Sequence, residues 1–101
     1  MLIILTTTST IDEAESLANG LVESRSAACV QILPKMTSIY AWEGKVEKES
    51  EHLLLIKTLP EKYEAVEKYI LDHHSYDTPE VVAIDAEKVS AGYLKWLADY
   101  L

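Results

Sequence analysis

The chain has 101 residues, 49% hydrophobic and 26% charged, which is the composition of one folded domain rather than of a disordered segment. Seventeen acidic residues against nine basic ones give a formal net charge of −8, which disfavours nucleic acid as a partner and favours cations. The longest apolar run is too short to span a bilayer, so no stable membrane insertion is expected.

The chain start and the cysteine content predict a cytoplasmic protein. The first five residues are apolar but lack the basic flank and the length of a signal peptide. Cys29 is the single cysteine, so no internal disulfide can form.

The first two predicted elements are a buried strand and an amphipathic helix. Residues 2–8 are aliphatic and then threonine-rich, which indicates a strand covered on both faces. Thr10 and Glu13 have the spacing of a capping box. The helix that follows carries its apolar residues at helical spacing: Ile11, Ala14, Leu17, Ala18, Leu21 and Val22.

Two long strands joined by a tight turn come next. Residues 27–42 are rich in β-branched and aromatic types, and Pro34 predicts a bend or bulge within them. Gly44 supplies the positive φ that a hairpin turn needs. Residues 45–58 then form the third strand, so the two strands make one long antiparallel hairpin whose polar end projects beyond the core.

The last third of the chain predicts a helix, a strand and a short final helix. Pro60 can open the second helix, whose inner face carries Tyr63, Val66, Ile70 and His73. Residues 81–84 form a fourth strand, and Ser90 caps a helix bearing Tyr93, Trp96, Leu97 and Tyr100.

The element order predicts an α+β, ferredoxin-like βαββαβ fold with a four-stranded antiparallel sheet and an extra C-terminal helix. We expect residues 1–101 to form a single domain of this kind. Both main helices then pack on one sheet face, and the other face is also apolar. Copies of the same chain are the simplest cover for that face.

The segment 73–80 concentrates the side chains that suit a metal ion. His73 and His74 offer imidazoles of the kind that bind copper or zinc, and Cys29 would add a thiolate if it lay near them. The alternatives are structural. His73 falls on the apolar helix face and is then a core histidine, and Cys29 is a small hydrophobe within its strand.

Two further groups of side chains have alternative interpretations. Glu47, Glu49 and Glu51 alternate along one strand face, and we expect them to be solvated rather than to gather cations. Tyr40 and Trp42 share a face near the hairpin tip, as Tyr93 and Trp96 do on the last helix. Such aromatic pairs more often anchor protein interfaces than stack on bases.

No motif indicates catalysis or an organic cofactor. The sequence has no nucleophile elbow, no Gly-rich phosphate loop and no H-x-x-x-H, C-x-x-C or H-E-x-x-H spacing. An acid–base enzyme that uses His74, Tyr76 and Asp77 in a cleft between subunits is the weakest of the functional hypotheses.

Several segments together give the chain a family resemblance. It resembles the CutA family, the divalent-cation tolerance proteins, over nearly its whole length. The matching segments are AACV (27–30), SIYAWEGK (38–45), IKT (56–58), HHSY (73–76), TPE (78–80) and YLKWL (93–97).

The resemblance implies a fold, an assembly and a function. The subunit would be ferredoxin-like, in a tight homotrimer whose long hairpins reach around neighbouring subunits, similar to the PII signalling proteins. Binding of divalent cations, with no accepted enzymatic reaction, is the implied role. A signalling or scaffold module that binds a small molecule or a protein partner in its intersubunit clefts is the alternative.

The family's motifs fall on particular positions of this chain. Its His-Pro-Tyr motif corresponds to His74, Ser75 and Tyr76, and its paired-histidine version to His73 and His74. Serine in place of proline predicts a less rigid loop. Some members carry a proposed copper-binding cysteine where this chain has Thr6.

The resulting prediction is a metal site made of His73, His74 and Cys29, or with Glu80 or a carboxylate from a neighbouring subunit in place of the thiolate. Tyr76, Asp77, Glu80 and Trp42 are expected to surround the site or to line the cleft beside it.

Overall fold

A computed structural model describes residues 1–101 and contains five strands and three helices. In chain order these are β1 (Leu2–Thr8), α1 (Ile11–Glu23), β2 (Cys29–Ile32), β3 (Met36–Trp42), β4 (Lys45–Thr58), α2 (Tyr63–His73), β5 (Val82–Asp85) and α3 (Ala91–Tyr100). A 3₁₀ turn at Pro60–Lys62 leads into α2.

The sheet has the order β2-β4-β1-β5, and β3 pairs with the part of β4 that extends beyond this sheet. All the pairings are antiparallel. The predicted α+β, ferredoxin-like arrangement is confirmed.

The predicted second strand is divided in two around Pro34, which raises the strand count from four to five. Ile32 pairs with Leu54 and Met36 pairs with Glu51. Three residues, 33–35, therefore face only two residues of β4. This excess of one residue is what a β-bulge produces, and it agrees with the predicted bulge at the proline.

The turn between β3 and β4 has the backbone that the glycine predicted. Gly44 has a φ of 77°, and Glu43 before it has a φ of 50°. Two successive residues with positive φ define a type I′ turn, whose twist matches that of the flanking strands. The resulting ribbon, β3 with the first half of β4, gives the subunit its long axis of 44 Å, against 25 Å and 23 Å for the other two.

The strand register separates a covered sheet face from an open one. On the covered face Ile4, Leu54 and Ile56 are fully buried beneath α1 and α2. The other face carries six aliphatic side chains, and neither α1 nor α2 packs on it. They are Ile3, Leu5, Leu53, Leu55, Val82 and Ile84. The predicted uncovered apolar face is therefore present, and we call these six residues the open face.

The two main helices begin and pack as their sequences predict, with two exceptions. The Thr10 hydroxyl accepts a hydrogen bond from the Glu13 backbone N–H at 3.2 Å, which is one half of the predicted capping box; the other half is absent, because the Glu13 carboxylate binds Ser75 instead. On α2, Val66 and Ile70 are fully buried. His73 is exposed, so the interpretation of it as a core histidine is wrong. It is the last residue of α2, where the helix leaves the sheet. No helix of the protein is long and apolar enough to cross a membrane.

Gly20 lets α1 approach α2 closely. A Cβ atom at this position would overlap the hydroxyl end of the Tyr69 ring, which lies against the glycine. We expect Gly20→Ala to change the free energy of unfolding by less than about 1 kcal/mol, measured by chemical denaturation, because displacing the end of the half-buried Tyr69 ring opposes the helix propensity that alanine gains over glycine.

The double variant Gly20→Ala/Tyr69→Leu is the matched test of this packing. Because leucine lacks the ring that would be displaced, Gly20→Ala should stabilise the Tyr69→Leu background by about 0.5–1 kcal/mol, more than it stabilises the wild type. Strict additivity of the two effects would contradict the contact.

Candidate functional site

A cleft of ≈ 750 Å³ lies where the ribbon leaves the sheet. Its walls come from β1, β3, β4 and the loop that follows α2. The structure brings the four side chains predicted around the site to this one cleft: Trp42, Tyr76, Asp77 and Glu80. Whether they bind a ligand there remains a prediction.

Glu51 lies in the wall of the cleft and is 8% exposed. The Tyr76 hydroxyl donates to its Oε2 at 2.8 Å. Desolvation, the largest influence on this carboxyl, would raise its pKa. The hydroxyls of Ser38, Tyr76 and Thr7 outweigh that effect and hold the pKa of Glu51 below its ordinary value. Glu51 is therefore a buried carboxylate that stays ionised.

Two tyrosines of the cleft stay protonated over a wide pH range. Burial raises the pKa of Tyr76, and its hydrogen bond to the Glu51 carboxylate raises it further. Desolvation raises the pKa of Tyr40, followed by the charges of Glu49, Glu47 and Glu51. Both phenols are thus hydrogen-bond donors rather than bases at neutral pH.

The cleft is negatively charged and has no basic side chain in its walls. Glu51, Asp77 and Glu80 line it, and no lysine, arginine or histidine does. Glu51 makes no ion pair. The salt bridges of the chain involve Asp72, Glu13 and Asp99. The arrangement therefore favours a cation and disfavours an anion.

His74 holds the loop after α2 against the end of β1, and its side chain is fully buried. Its Nε2 lies 2.7 Å from the Thr7 carbonyl oxygen and must donate to it. Its Nδ1 accepts from the Tyr76 backbone N–H at 3.0 Å. Because both ring nitrogens are engaged, His74 can bind a metal ion only by giving up one of these bonds.

Ser75, which stands where the resembled family has proline, fastens the loop to α1. Its backbone N–H donates to Glu13 Oε2 at 2.7 Å, and its hydroxyl donates to Glu13 Oε1 at 2.9 Å. The prediction of a less rigid loop stays a prediction, and these two hydrogen bonds oppose it. Proline has neither of these donors, so serine replaces the rigidity of the ring with two hydrogen bonds to a charged group.

His73 has one free ring nitrogen. The ring stacks on Tyr69 with 4.0 Å between the centroids, and its Nδ1 donates to the Tyr69 carbonyl oxygen at 2.8 Å. Its Nε2 has no partner and the residue is exposed. Of the two predicted imidazole ligands, His73 is the one available without rearrangement.

Cys29 does not lie near the histidines. It pairs with Lys57, which pairs with Ile3, whereas His74 contacts Thr7 at the other end of β1. Four residues of strand correspond to about 13 Å. No group of three or more histidine, cysteine, aspartate or glutamate side chains lies close enough within the chain to hold a metal ion.

The residue that sequence reasoning missed is Glu51. The alternating pattern groups it with Glu47 and Glu49 as a solvated stripe, yet it is buried under hydroxyl donors from other segments of the chain. One feature of the sequence could have indicated this burial. Glu51 lies where β4 changes from a polar to an apolar half, so of the three glutamates it is the one nearest the core.

We expect Glu51→Gln to destabilise the protein at neutral pH by about 1–3 kcal/mol, because the charged acceptor of the buried Tyr76 hydrogen bond is lost. A lowered folded pKa means that the stabilisation is complete above the ordinary glutamate pKa of about 4.3 and is lost as the pH falls through the folded value. The stability difference between the wild type and the variant should therefore shrink in acid, as measured by denaturation between about pH 7 and about pH 3.

Glu64→Gln is the matched control for this substitution, because Glu64 is exposed on α2. It should change stability by less than about 0.5 kcal/mol at any pH. A Glu51→Gln effect that does not change with pH would contradict the assigned ionisation.

Comparison with known proteins identifies the family. The sequence model of CutA1, the CutA1 divalent ion tolerance protein, matches residues 2–100. The chain is 38% identical over 97 residues to a divalent-cation tolerance protein CutA from Thermus thermophilus, covering 96% of this chain and 94% of the relative.

Solved structures agree with the sequence comparison. The chain superposes with a TM-score of 0.95 on a CutA from Archaeoglobus fulgidus, at 36% identity and over 99% of this chain and 98% of the other. It superposes with a TM-score of 0.94 on CutA1 from Pyrococcus horikoshii, at 33% identity and over 99% and 97% of the two chains.

Some relatives are longer than this chain. It matches 57% of the length of a CutA homolog from Xenopus laevis and 47% of a CutA from Arabidopsis thaliana, at 44% and 43% identity. The chain thus spans about half the length of several curated relatives, and these contain further sequence outside the shared region.

The prediction of a cytoplasmic location, made from the chain start and the single cysteine, is wrong. The Arabidopsis relative is described as chloroplastic and the Archaeoglobus protein as periplasmic. A lone cysteine forms no internal disulfide in any compartment, so its presence does not distinguish between them.

The fold, the cleft and the loop 73–80 are thus found on a chain that matches one sequence family from residue 2 to residue 100. The match to solved members of that family covers 99% of the chain. The chain belongs to the CutA1 divalent ion tolerance family.

Proposed function

We propose that the chain works as a homotrimer that binds divalent cations of the copper or zinc type and catalyses no reaction. The observation that carries the proposal is the exposed imidazole of His73, whose Nε2 has no hydrogen-bond partner. A net charge of −8 adds to the attraction for cations. The family description, divalent ion tolerance, supports the same class of ligand.

The open face supports assembly. Only 17 of the 101 residues are buried in the isolated chain, which is a small core for a stable domain. Val82 and Ile84 are exposed on this face, and Ile39 and Val46 are exposed on the ribbon. Association of identical chains would bury these side chains, and a cyclic trimer is the arrangement that the family resemblance implies.

The residues of one chain do not complete a metal site by themselves. His73 offers a free Nε2, whereas His74 has both nitrogens engaged and Cys29 lies at the other end of the sheet. Copper and zinc prefer several nitrogen or sulfur ligands. The proposed site therefore uses His73 together with groups from a neighbouring subunit, so metal binding depends on assembly.

The absence of catalysis is proposed because the cleft contains no activated group. Tyr40 and Tyr76 have raised pKa values, which makes them poor bases. Both nitrogens of His74 are occupied by backbone groups. Cys29 forms no hydrogen bond with a histidine or another base that could activate its thiol.

A second candidate function is a PII-like module that binds a small molecule or a protein partner in clefts between subunits. The observation that favours it is the size of the cleft, which falls within the usual range for small-molecule sites of about 300–1,000 Å³. Trp42 is 53% exposed at the rim of this cleft.

Metal binding should depend on His73. We expect the assembled protein to bind Cu(II) or Zn(II) in isothermal titration, and His73→Ala to weaken that affinity by about tenfold or more, since one ligand nitrogen is lost. The double variant His73→Ala/His74→Ala should bind no better than the single one.

His52→Ala is the control for nonspecific imidazole binding. His52 lies on β4 with its Nδ1 3.3 Å from the Leu33 carbonyl oxygen, and its removal should leave the affinity for both metals unchanged. Equal affinity in the wild type and in His73→Ala would contradict the metal proposal.

Assembly should depend on the open face. Ile84→Glu places a charge where a second chain would have to pack, and we expect it to convert the trimer to monomers in light scattering coupled to size-exclusion chromatography.

Leu71→Glu introduces the same charge at an aliphatic residue of similar exposure on α2, 54% against 50% for Ile84, away from the sheet. It should remain trimeric. A trimer that tolerates both substitutions equally would contradict an interface on the open face.

A further inference from the structure

We propose that the cleft between the ribbon and the loop after α2 binds an organic cation, an aliphatic amine with one or more ammonium groups. This inference rests on the second candidate function, in which the cleft is a small-molecule site, and it assigns the chemical class of the ligand. It does not depend on the metal proposal, which concerns His73 outside the cleft.

The charges around the cleft call for a positive ligand. Glu51 is a buried carboxylate that accepts a hydrogen bond from the Tyr76 hydroxyl and makes no ion pair. Buried charges in proteins are ordinarily paired or bound to a cation. Asp77 and Glu80 line the same cleft from the loop after α2 and are exposed, so the cleft carries both a buried and two exposed negative charges.

The aromatic walls fit an organic cation. Tyr40, Trp42 and Tyr76 line the same cleft, and the faces of such rings attract ammonium groups and cover methylene chains. Leu5 and Leu53 add an apolar surface at the base. A ligand with charged ends and an aliphatic middle matches both kinds of surface.

A bare metal ion fits this cleft less well. The carboxylates of the cleft do not converge closely enough to chelate one ion. A metal ion also gains nothing from three aromatic rings, whereas an extended amine can reach separated carboxylates with different nitrogens. An anionic or phosphorylated ligand is disfavoured because no lysine or arginine lines the cleft.

The test uses the assembled protein in buffer with EDTA and physiological salt, titrated with putrescine and spermidine. 1,4-Butanediol, which has hydroxyls in place of the amines of putrescine, is the neutral probe. Binding is followed by calorimetry and by tryptophan fluorescence. We expect both amines to bind saturably, and putrescine to bind at least about tenfold more tightly than the diol.

Variants locate the binding in the cleft. Glu51→Gln should weaken amine binding by about tenfold or more, because a buried carboxylate is neutralised. Trp42→Ala should weaken it by about threefold to tenfold through the lost ring face. Asp77→Asn, at an exposed position, should also weaken binding, and it answers the same question if Glu51→Gln fails to fold.

The controls match the variants in chemistry and exposure. Trp96→Ala removes a tryptophan that is 52% exposed on α3, and Glu64→Gln removes an exposed carboxylate on α2. Both should leave the affinity unchanged. An equal loss in controls and cleft variants would mean that the amines only screen the net charge, and that result would overturn the proposal.

Two other outcomes would also overturn it: no saturable amine binding, or diol binding as tight as putrescine binding. Saturable binding of the diol at the cleft would still support a small-molecule site and reject only the amine class. The metal proposal is judged separately, by the titrations of His73→Ala without chelator.

Discussion

The structure around the cleft depends on one buried negative charge. A carboxylate with little exposure is tolerated only where polar groups replace its water, and Glu51 has a hydrogen-bond donor in Tyr76 and the hydroxyls of two further segments beside it. Thr7 comes from the first strand, Ser38 from the ribbon and Tyr76 from the loop after α2. Tyr76 is 25 residues from Glu51 in sequence, so this hydrogen bond fixes the loop after α2 against β4 at the point where the ribbon leaves the sheet.

The loop after α2 is held by bonds that leave its outer side chains free. His74 joins it to β1, and Ser75 joins it to Glu13 on α1. Asp77 and Glu80 follow immediately and are exposed. The histidine that the sequence singled out as a metal ligand thus has a structural role in this chain, and the loop it anchors presents the carboxylates to the cleft.

The fold could be predicted because its signals are local. The cap at Thr10, the turn glycine at Gly44 and the proline at the bulge each act within a few residues, and the alternation of apolar side chains then sets the two faces of the sheet. The burial of Glu51 could not be predicted in this way. It depends on Tyr76, 25 residues further along the chain, and three alternating glutamates have the same pattern whether or not one of them meets the core. The separation of Cys29 from His74 likewise follows from strand register, which the sequence does not state.

The cleft and the open face are not independent surfaces. Leu5 and Leu53 belong to both, since they line the base of the cleft and lie among the uncovered aliphatic side chains of the sheet. If copies of the chain cover the open face, as proposed, they also border the cleft and change its access to solvent. Any ligand that binds the cleft more tightly in the assembled state must then stabilise the assembly by the same free energy, since the two equilibria are linked. A small-molecule site in this position would therefore couple the concentration of its ligand to the oligomeric state, and a chain with so small a core of its own is especially responsive to such coupling.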